Sequence, residues 1–287
     1  MGSSEVTRCS VPTVARARDL VPGTGGGCDD GPVPRRYRKS SPSAPPGYFH
    51  WEARGLRWLS DAGGALVAEV LDVGEDYLEL PLLEAAPPTA AHAEQLGRGL
   101  AAVHAAGAEA FGAGPDGWDG DGWLGPVSEL LPLRLGTWGT WGSFAAEARV
   151  RPLARLGHER GVFDDEGLAL LERLADTLAT GTLDTDDGPS RLHGDLWSGN
   201  VVWTRDGAVL IDPAAHGGHR EADLAMLLLF GAPELDRVLA AYDEAAPLAD
   251  GWRDRVLLHQ VHPLLVHAVL FGGSYVRQAL DAAARYA

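Results

Sequence analysis

Three residue types are almost missing from this chain of 287 residues: Lys39 is its only lysine, Asn200 its only asparagine and Ile211 its only isoleucine. Arginine fills the other basic positions, so any task that needs a compact, flexible ammonium instead of a planar fork falls to Lys39. Cysteine is scarce as well, and Cys9 and Cys28 alone build neither a disulfide framework nor a structural zinc site. No apolar run reaches membrane-spanning length and the mean hydropathy is −0.08, so no membrane partner is expected. The N-terminal residues carry charges and prolines without an apolar stretch, which marks nothing for secretion and predicts a cytoplasmic location. Positive charge is short too: 24 Lys and Arg stand against 40 Asp and Glu, a net −16 that argues against a nucleic-acid partner.

What the chain does contain is concentrated between Ser190 and Pro213, SRLHGDLWSGNVVWTRDGAVLIDP. Two apolar runs, Val201–Trp203 and Ala208–Ile211, flank an Asp206-Gly207 turn, the signature of a hairpin. Asp195 precedes the hairpin, Asn200 lies five positions after Asp195, and Asp212 closes the second strand. Protein kinases set a catalytic Asp, an Asn five residues on and a metal-binding Asp after the next hairpin in that order, so the spacing points to phosphoryl transfer. Asp195 then accepts the proton of an attacking hydroxyl, and Asn200 and Asp212 offer oxygen ligands to Mg²⁺. Lys39 grips the phosphates of ATP, held by Glu52 early in the next helix; an ordinary solvent-facing glutamate is the other reading of Glu52. The acidic total does not oppose a nucleotide, because Mg²⁺ and a few local cations neutralise a triphosphate inside a cleft.

Taken in order, residues 1–38 are loop-like, and Gly23–Gly27 reads either as a phosphate loop or as a flexible terminus. A short strand ends at Lys39, an amphipathic helix covers Tyr48–Ser60, and strands follow at Leu66–Val73 and Tyr77–Leu83. Glu84–Ala91, stiffened by Pro87-Pro88, reads as a linker. Helical spacing then recurs over Ala90–Ala106, Phe144–Glu159 and Asp165–Leu178, and again beyond His216. The expected fold class is α+β, with a nucleotide lobe at 1–84 and a larger helical catalytic and substrate lobe at 85–287. Residues 107–142 form a long loop whose Trp118, Trp123, Trp138 and Trp141 either line a sugar site or anchor the loop. His104 reads as functional or as a helix-end cap, and Asp223 as a partner of the catalytic loop or a helix N-terminal charge. His259 and His262 have a metal-like spacing, but no carboxylate completes a set, which favours ordinary helix histidines.

HGDLWSGN (His193–Asn200) and the continuation IDPAAHGGHREADLAMLLLFG (Ile211–Gly231) resemble the fructosamine-3-kinase and ketosamine-3-kinase family, within the aminoglycoside-phosphotransferase-like, protein-kinase-like fold. The broad HGD…N…D pattern is shared with choline and aminoglycoside kinases; the Trp after HGDL and the IDPA…GHREADLA run point to the narrower family. SAPPGYFHWEARGLRWL, GRGLAAVHAAGAEAFG, DGWLGPV and WGSFAAEARVRPLARL extend the similarity from about Lys39 to the C-terminus. The resemblance implies a two-lobed fold and ATP- and Mg²⁺-dependent phosphorylation of the sugar 3-hydroxyl of a fructosamine or ribulosamine. The substrate is a small ketoamine or a glycated protein, as in deglycation repair, and the enzyme is expected to be a monomer. By position, Asp195 is the base, Asn200 and Asp212 bind Mg²⁺, and Lys39 with Glu52 orders ATP. Trp197 lies against the sugar or packs beneath the loop, and His193 and His219 join the substrate side, His193 more as a support for loop geometry than as a proton carrier.

Pro81 falls where the family usually has a hinge Glu, and proline has no N–H for adenine, so the neighbouring backbone of Leu80 and Leu82 is expected to serve. Two further readings compete. One is a kinase-fold protein that binds without turnover, or a kinase of another small alcohol. The other is a metal hydrolase built on His193, Asp195, Asp212, His216 and His219.

Overall fold

The computed structural model describes residues 35–287. The candidate phosphate loop at Gly23–Gly27 and both cysteines lie outside the described residues.

The chain enters through β1 (Arg36–Ser40), turns into α1 (Tyr48–Asp61), and continues through β2 (Leu66–Val67), β3 (Asp72–Val73) and β4 (Tyr77–Pro81). β4 is the middle strand of an antiparallel sheet with β1 and β3 on its edges. Alternation along β4 buries Leu78 and Leu80, and helical spacing along α1 brings Phe49, Ala53 and Leu56 onto the same core.

The single strand expected over Leu66–Val73 is in fact two, serving different sheets. Ala68 still donates its amide to Leu210 at 2.9 Å, while the Leu71 amide is bonded to Glu79 at 2.9 Å, so the chain crosses between sheets at that point.

Residues 82–89 have no regular structure, and the Ala86 amide ties this linker to the Trp203 carbonyl at 2.8 Å. α2 (Ala90–Ala105) opens on a Thr89 cap whose hydroxyl accepts from the His92 amide. The long loop carries one small pair of strands, β5 (Gly122–Leu124) and β6 (Leu131–Leu133). Its tryptophans act as anchors: Trp118 meets Trp51 and Trp123 meets Tyr48, both at the start of α1, while Trp141 is buried in the main core.

The helix expected from Phe144 to Glu159 is interrupted. α3 (Trp141–Phe144) runs into a π-helical turn at Ala145–Val150 before α4 (Arg151–Glu159) begins. Pro152 lacks an amide and its ring crowds the carbonyl one turn back, and the Arg151 amide accordingly reaches Ala146. α5 (Asp165–Ala179) follows its Asp164 cap.

The remaining strands are β7 (Ser190–Leu192), β8 (Val201–Trp203), β9 (Ala208–Leu210) and β10 (His216–Gly218), and then come α6 (Glu221–Phe230), α7 (Leu235–Ala245), α8 (Trp252–Phe271) and α9 (Ser274–Ala283). The hairpin is β8–β9, and β2 adds to it in parallel, giving the order β2-β9-β8. His216 lies in β10, antiparallel to β7, ahead of the helical stretch. α4, α5, α8 and α9 share the largest core, with Leu131, Leu171, Leu174 and Leu265 fully buried. The result is a two-lobed α+β kinase-like fold with the hairpin at the junction of sheet and helices.

Candidate active site

The five residues expected to carry chemistry converge on the floor between the sheet and the helices. Lys39, at the end of β1, extends to Glu52 on α1, with Nζ 2.8 Å from Oε2, and to Asp212 beyond β9, 3.2 Å from Oδ1. Burial disfavours the ammonium, but the charges of Glu52 and Asp212 outweigh that and raise the Lys39 pKa, keeping it a cation. The same burial pushes the Glu52 carboxyl upward, with Lys39 opposing it. The Tyr48 ring stands 5.9 Å from the ammonium, a further favourable contact for a cation.

Asn200 binds the other two together. Its Nδ2 donates to the Asp195 carbonyl at 2.8 Å, to Asp195 Oδ2 at 3.0 Å and to the Asp212 carbonyl at 3.4 Å. All three partners are acceptors, which fixes the orientation of the amide. Burial pushes the Asp195 carboxyl up to about 6, with Asn200 opposing and the nearby Asp212 and Asp223 charges adding to the rise. Asp212 has φ 52°, a left-handed conformation that costs a non-glycine residue about 1 kcal/mol or more, and backbone strain of this kind concentrates at functional sites.

The donor set fits a magnesium ion. Every described side-chain bond of Asn200 comes from its nitrogen, which leaves its oxygen unengaged among the described residues, and Asp212 contributes a carboxylate beside it. Glu52 Oε1 is buried and accepts no hydrogen bond. Hard oxygen donors with unfilled valences suit Mg²⁺, which takes few protein ligands and keeps waters and phosphates for the rest.

Behind this face lies a support that the sequence only hinted at. Asp223, at the start of α6, accepts the His193 amide at 2.8 Å and the Gly194 amide at 3.0 Å, so it does bond back to the catalytic loop. His104 Nε2 donates to the same carboxylate at 3.1 Å, and its Nδ1 is paired with the Tyr242 hydroxyl at 2.8 Å. Burial opposes the Asp223 charge, yet these bonds, His104 first, hold its carboxyl below the usual range. His104 is therefore a buried brace and not a helix cap. Its one sequence signal is a histidine inside an otherwise apolar helix; Tyr242 gives no signal at all.

Three expectations need correction. His193 does not face a substrate. It is buried, its Nδ1 accepts the Asp195 amide at 3.3 Å and its Nε2 donates to the Ile211 carbonyl at 2.9 Å, so both ring nitrogens hold the loop. His219 is buried too, with Nδ1 accepting the Glu221 amide and Nε2 bonded to the Thr185 hydroxyl at 2.8 Å. Nor do the amides flanking Pro81 replace its missing donor. The Leu82 amide is bonded to the Arg35 carbonyl at 2.7 Å, and antiparallel alternation makes Tyr37–Leu80 the next bonded pair.

The proposed hydrolase set does not assemble either. Among the described residues, the one grouping of three ligand-type side chains is His219, Glu221 and His259. The Arg255 fork occupies both oxygens of Glu221, and the Glu221 amide on Nδ1 keeps the proton of His219 on Nε2. A cation there would have to displace Arg255, so the trio is a closed ion-pair network.

Trp197 sits beside the loop in contact with Phe230, at 6.3 Å between ring centres. Gly199 is what makes room: a Cβ there would lie 2.2 Å from the Trp197 ring, so the indole rests on the glycine.

Comparison with known proteins agrees with this geometry. Residues 35–286 match the family model described as fructosamine kinase. A Thermus thermophilus protein named "Probable ketoamine kinase" is 37% identical over 245 residues, covering 85% of this chain and 84% of its own length. An Escherichia coli K12 protein of the same name is 33% identical over 242 residues, 81% of this chain and 79% of its own. Among solved structures, a Thermobifida fusca protein provisionally named a fructosamine-3-kinase superposes with TM-score 0.79 at 47% identity, covering 87% of this chain and 84% of that one. An aminoglycoside phosphotransferase solved with ADP and hygromycin B shares the fold alone, with TM-score 0.55 at 18% identity over 90% of this chain and 92% of its own. Matched by the family model over nearly all its described length, and by relatives at 37% and 33% identity over most of both chains, this protein belongs to the fructosamine kinase family.

Proposed function

We propose that this chain is an ATP- and Mg²⁺-dependent kinase that phosphorylates the 3-hydroxyl of ketosamines such as fructosamine or ribulosamine. One observation carries the reading most directly. The sole lysine of the chain lies 3.2 Å from Asp212, 173 positions away, while Asn200 clamps that same Asp212 to Asp195. Names of relatives support the substrate class, and the family membership supports the transfer.

In this reading residues 1–84 form the nucleotide lobe and 85–287 the catalytic and substrate lobe. Asp195 takes the proton of the attacking sugar hydroxyl, and a carboxyl poised near 6 is ionised at neutral pH yet basic enough to do so. Lys39, aligned by Glu52, bears on the phosphates of the nucleotide. Asn200 and Asp212 hold the Mg²⁺, which when bound neutralises charge on the transferring phosphoryl group. Asp223 and His193 act at one remove, keeping Asp195 in place. Initial rates on a panel of ketoamines with ATP and Mg²⁺ test the proposal: turnover lost in Asp195→Ala supports it. Acceptance of another small alcohol with no ketoamine turnover would refute it.

The engaged amides around Pro81 favour a second reading, a protein that binds ketoamine without transferring phosphate. Calorimetry with ATP and Mg²⁺ separates the two, since a binder of that kind takes up no nucleotide.

A further inference from the structure

One surface next to the site is not used by the transfer chemistry. Trp197, two positions after Asp195, lies 6.3 Å edge-on from Phe230, and Phe230 stands 4.8 Å from His267. His267 in turn meets Phe271 at 5.4 Å and Tyr275 at 5.0 Å. Five rings from the catalytic loop, the ends of α6 and α8 and the start of α9 thus make a continuous ledge leading away from Asp195. Phe271 is 60% exposed and is the only exposed large hydrophobic side chain among the described residues. A half-buried aromatic row, exposed at Phe271, that runs into the loop of Asp195 marks a contact surface continuous with the site.

The ledge also has a charge preference. α6 ends at Phe230 and α8 at Phe271, so two partly negative helix C-termini meet there. Its histidine is neutral: His267 Nδ1 donates to the Pro263 carbonyl at 2.8 Å, and burial lowers its pKa. Aromatic faces beside helix C-termini attract a cation that carries apolar surface and repel a carboxylate.

We propose that this ledge receives the amine-borne half of the ketoamine and selects adducts of arylalkyl amines, whose linking nitrogen is a secondary ammonium, over adducts of acidic amino acids. The assignment rests on the ketoamine reading above. The sugar lies at Asp195 and Trp197, the ammonium follows at the helix ends, and the aryl group covers Phe230 and Phe271.

The test compares kcat/KM for fructose adducts of 2-phenylethylamine, glutamate and Nα-acetyl-lysine amide in the full chain and in Phe271→Ala and Phe271→Glu. The wild-type protein is expected to prefer the phenylethylamine adduct to the glutamate adduct by roughly tenfold or more. Phe271→Ala is expected to cut that ratio about fivefold, through KM, the scale of one lost aromatic contact. Phe271→Glu is expected to lower the preference for the phenylethylamine adduct over the Nα-acetyl-lysine amide adduct, while the preference for the lysine adduct over the glutamate adduct is kept. Because Phe271 is exposed, neither change opens the core, and unchanged thermal midpoints verify this. Equal ratios in all three proteins, or a wild-type preference for the lysine adduct over the aryl one, would overturn the ledge while leaving the ketoamine reading standing. Turnover of no adduct would overturn both.

Discussion

Two aspartates 28 positions apart, Asp195 and Asp223, divide the catalytic loop between them, and they are held in opposite states. Asp195 is pushed up to about 6, with one side-chain donor, Asn200, to stabilise its charge. Asp223 is held below the usual range by the His104 ring and two loop amides. The face with Asp195 keeps unfilled valences: the oxygen of Asn200, the strained Asp212, and Glu52 Oε1. The back, with His193, His104, Tyr242 and the Glu221–Arg255 pair, is closed on itself. A buried polar group left open costs stability, so natural chains leave such groups where a ligand completes them. Openness, more than polarity, separates the working face from its support.

That contrast can be broken experimentally. The largest effect is expected from Asp195→Asn, which should lower kcat by about 10³-fold, within the range for loss of a general base, as steady-state rates will report. The same variant should melt higher than wild type at pH 7 but not at pH 4. A carboxyl whose folded pKa is raised loses stability as pH climbs from its unfolded value through about 6, and Asn removes that loss. Glu52→Gln comes next: Lys39 keeps Asp212 but loses its 2.8 Å partner, and kcat/KM for ATP should fall by about 10²-fold.

On the closed side the sign reverses. Asp223→Asn should cost about 2–3 kcal/mol in denaturant unfolding at pH 7, because two loop amides and His104 lose a charged acceptor. That penalty should shrink as pH falls below the ordinary carboxylate range, where the wild-type carboxylate itself is protonated. For the wild-type enzyme, kcat/KM should show an acid limb near pH 6, tenfold per unit below it, as Asp195 takes up its proton. The smallest effect is expected from Tyr242→Phe, which removes one buried hydroxyl and should cost about 1 kcal/mol with little change in KM.

The open face was legible because phosphoryl transfer fixes residue types at fixed spacings within one hairpin, and rare residues made Lys39 and Asn200 stand out. The brace was not, because Asp223, His104 and Tyr242 come from three helices separated by 119 and 138 positions, and only their packing brings them together. His219 misled because a histidine near a catalytic motif looks alike whether its nitrogens are open or engaged. The split at Leu66–Val73 was hidden for a similar reason: an apolar run does not say which sheet each residue will join.

That split ties the two sheets together. β2 is laced to β9 and the Ala86 linker to Trp203, while α1 is seated against the segment after Asp212, where a Cβ on Gly55 would come within 3.3 Å of Pro213. The small lobe is thus pinned at three points, and Glu52 travels with the pinned part. The three-stranded sheet carrying Lys39 is in turn seated on that pinned helix, with Leu78 and Leu80 packed against Phe49, Ala53 and Leu56. Packing on both sides thus sets the ammonium in register with its two carboxylates, a scaffold for one charge built from two sheets and a helix.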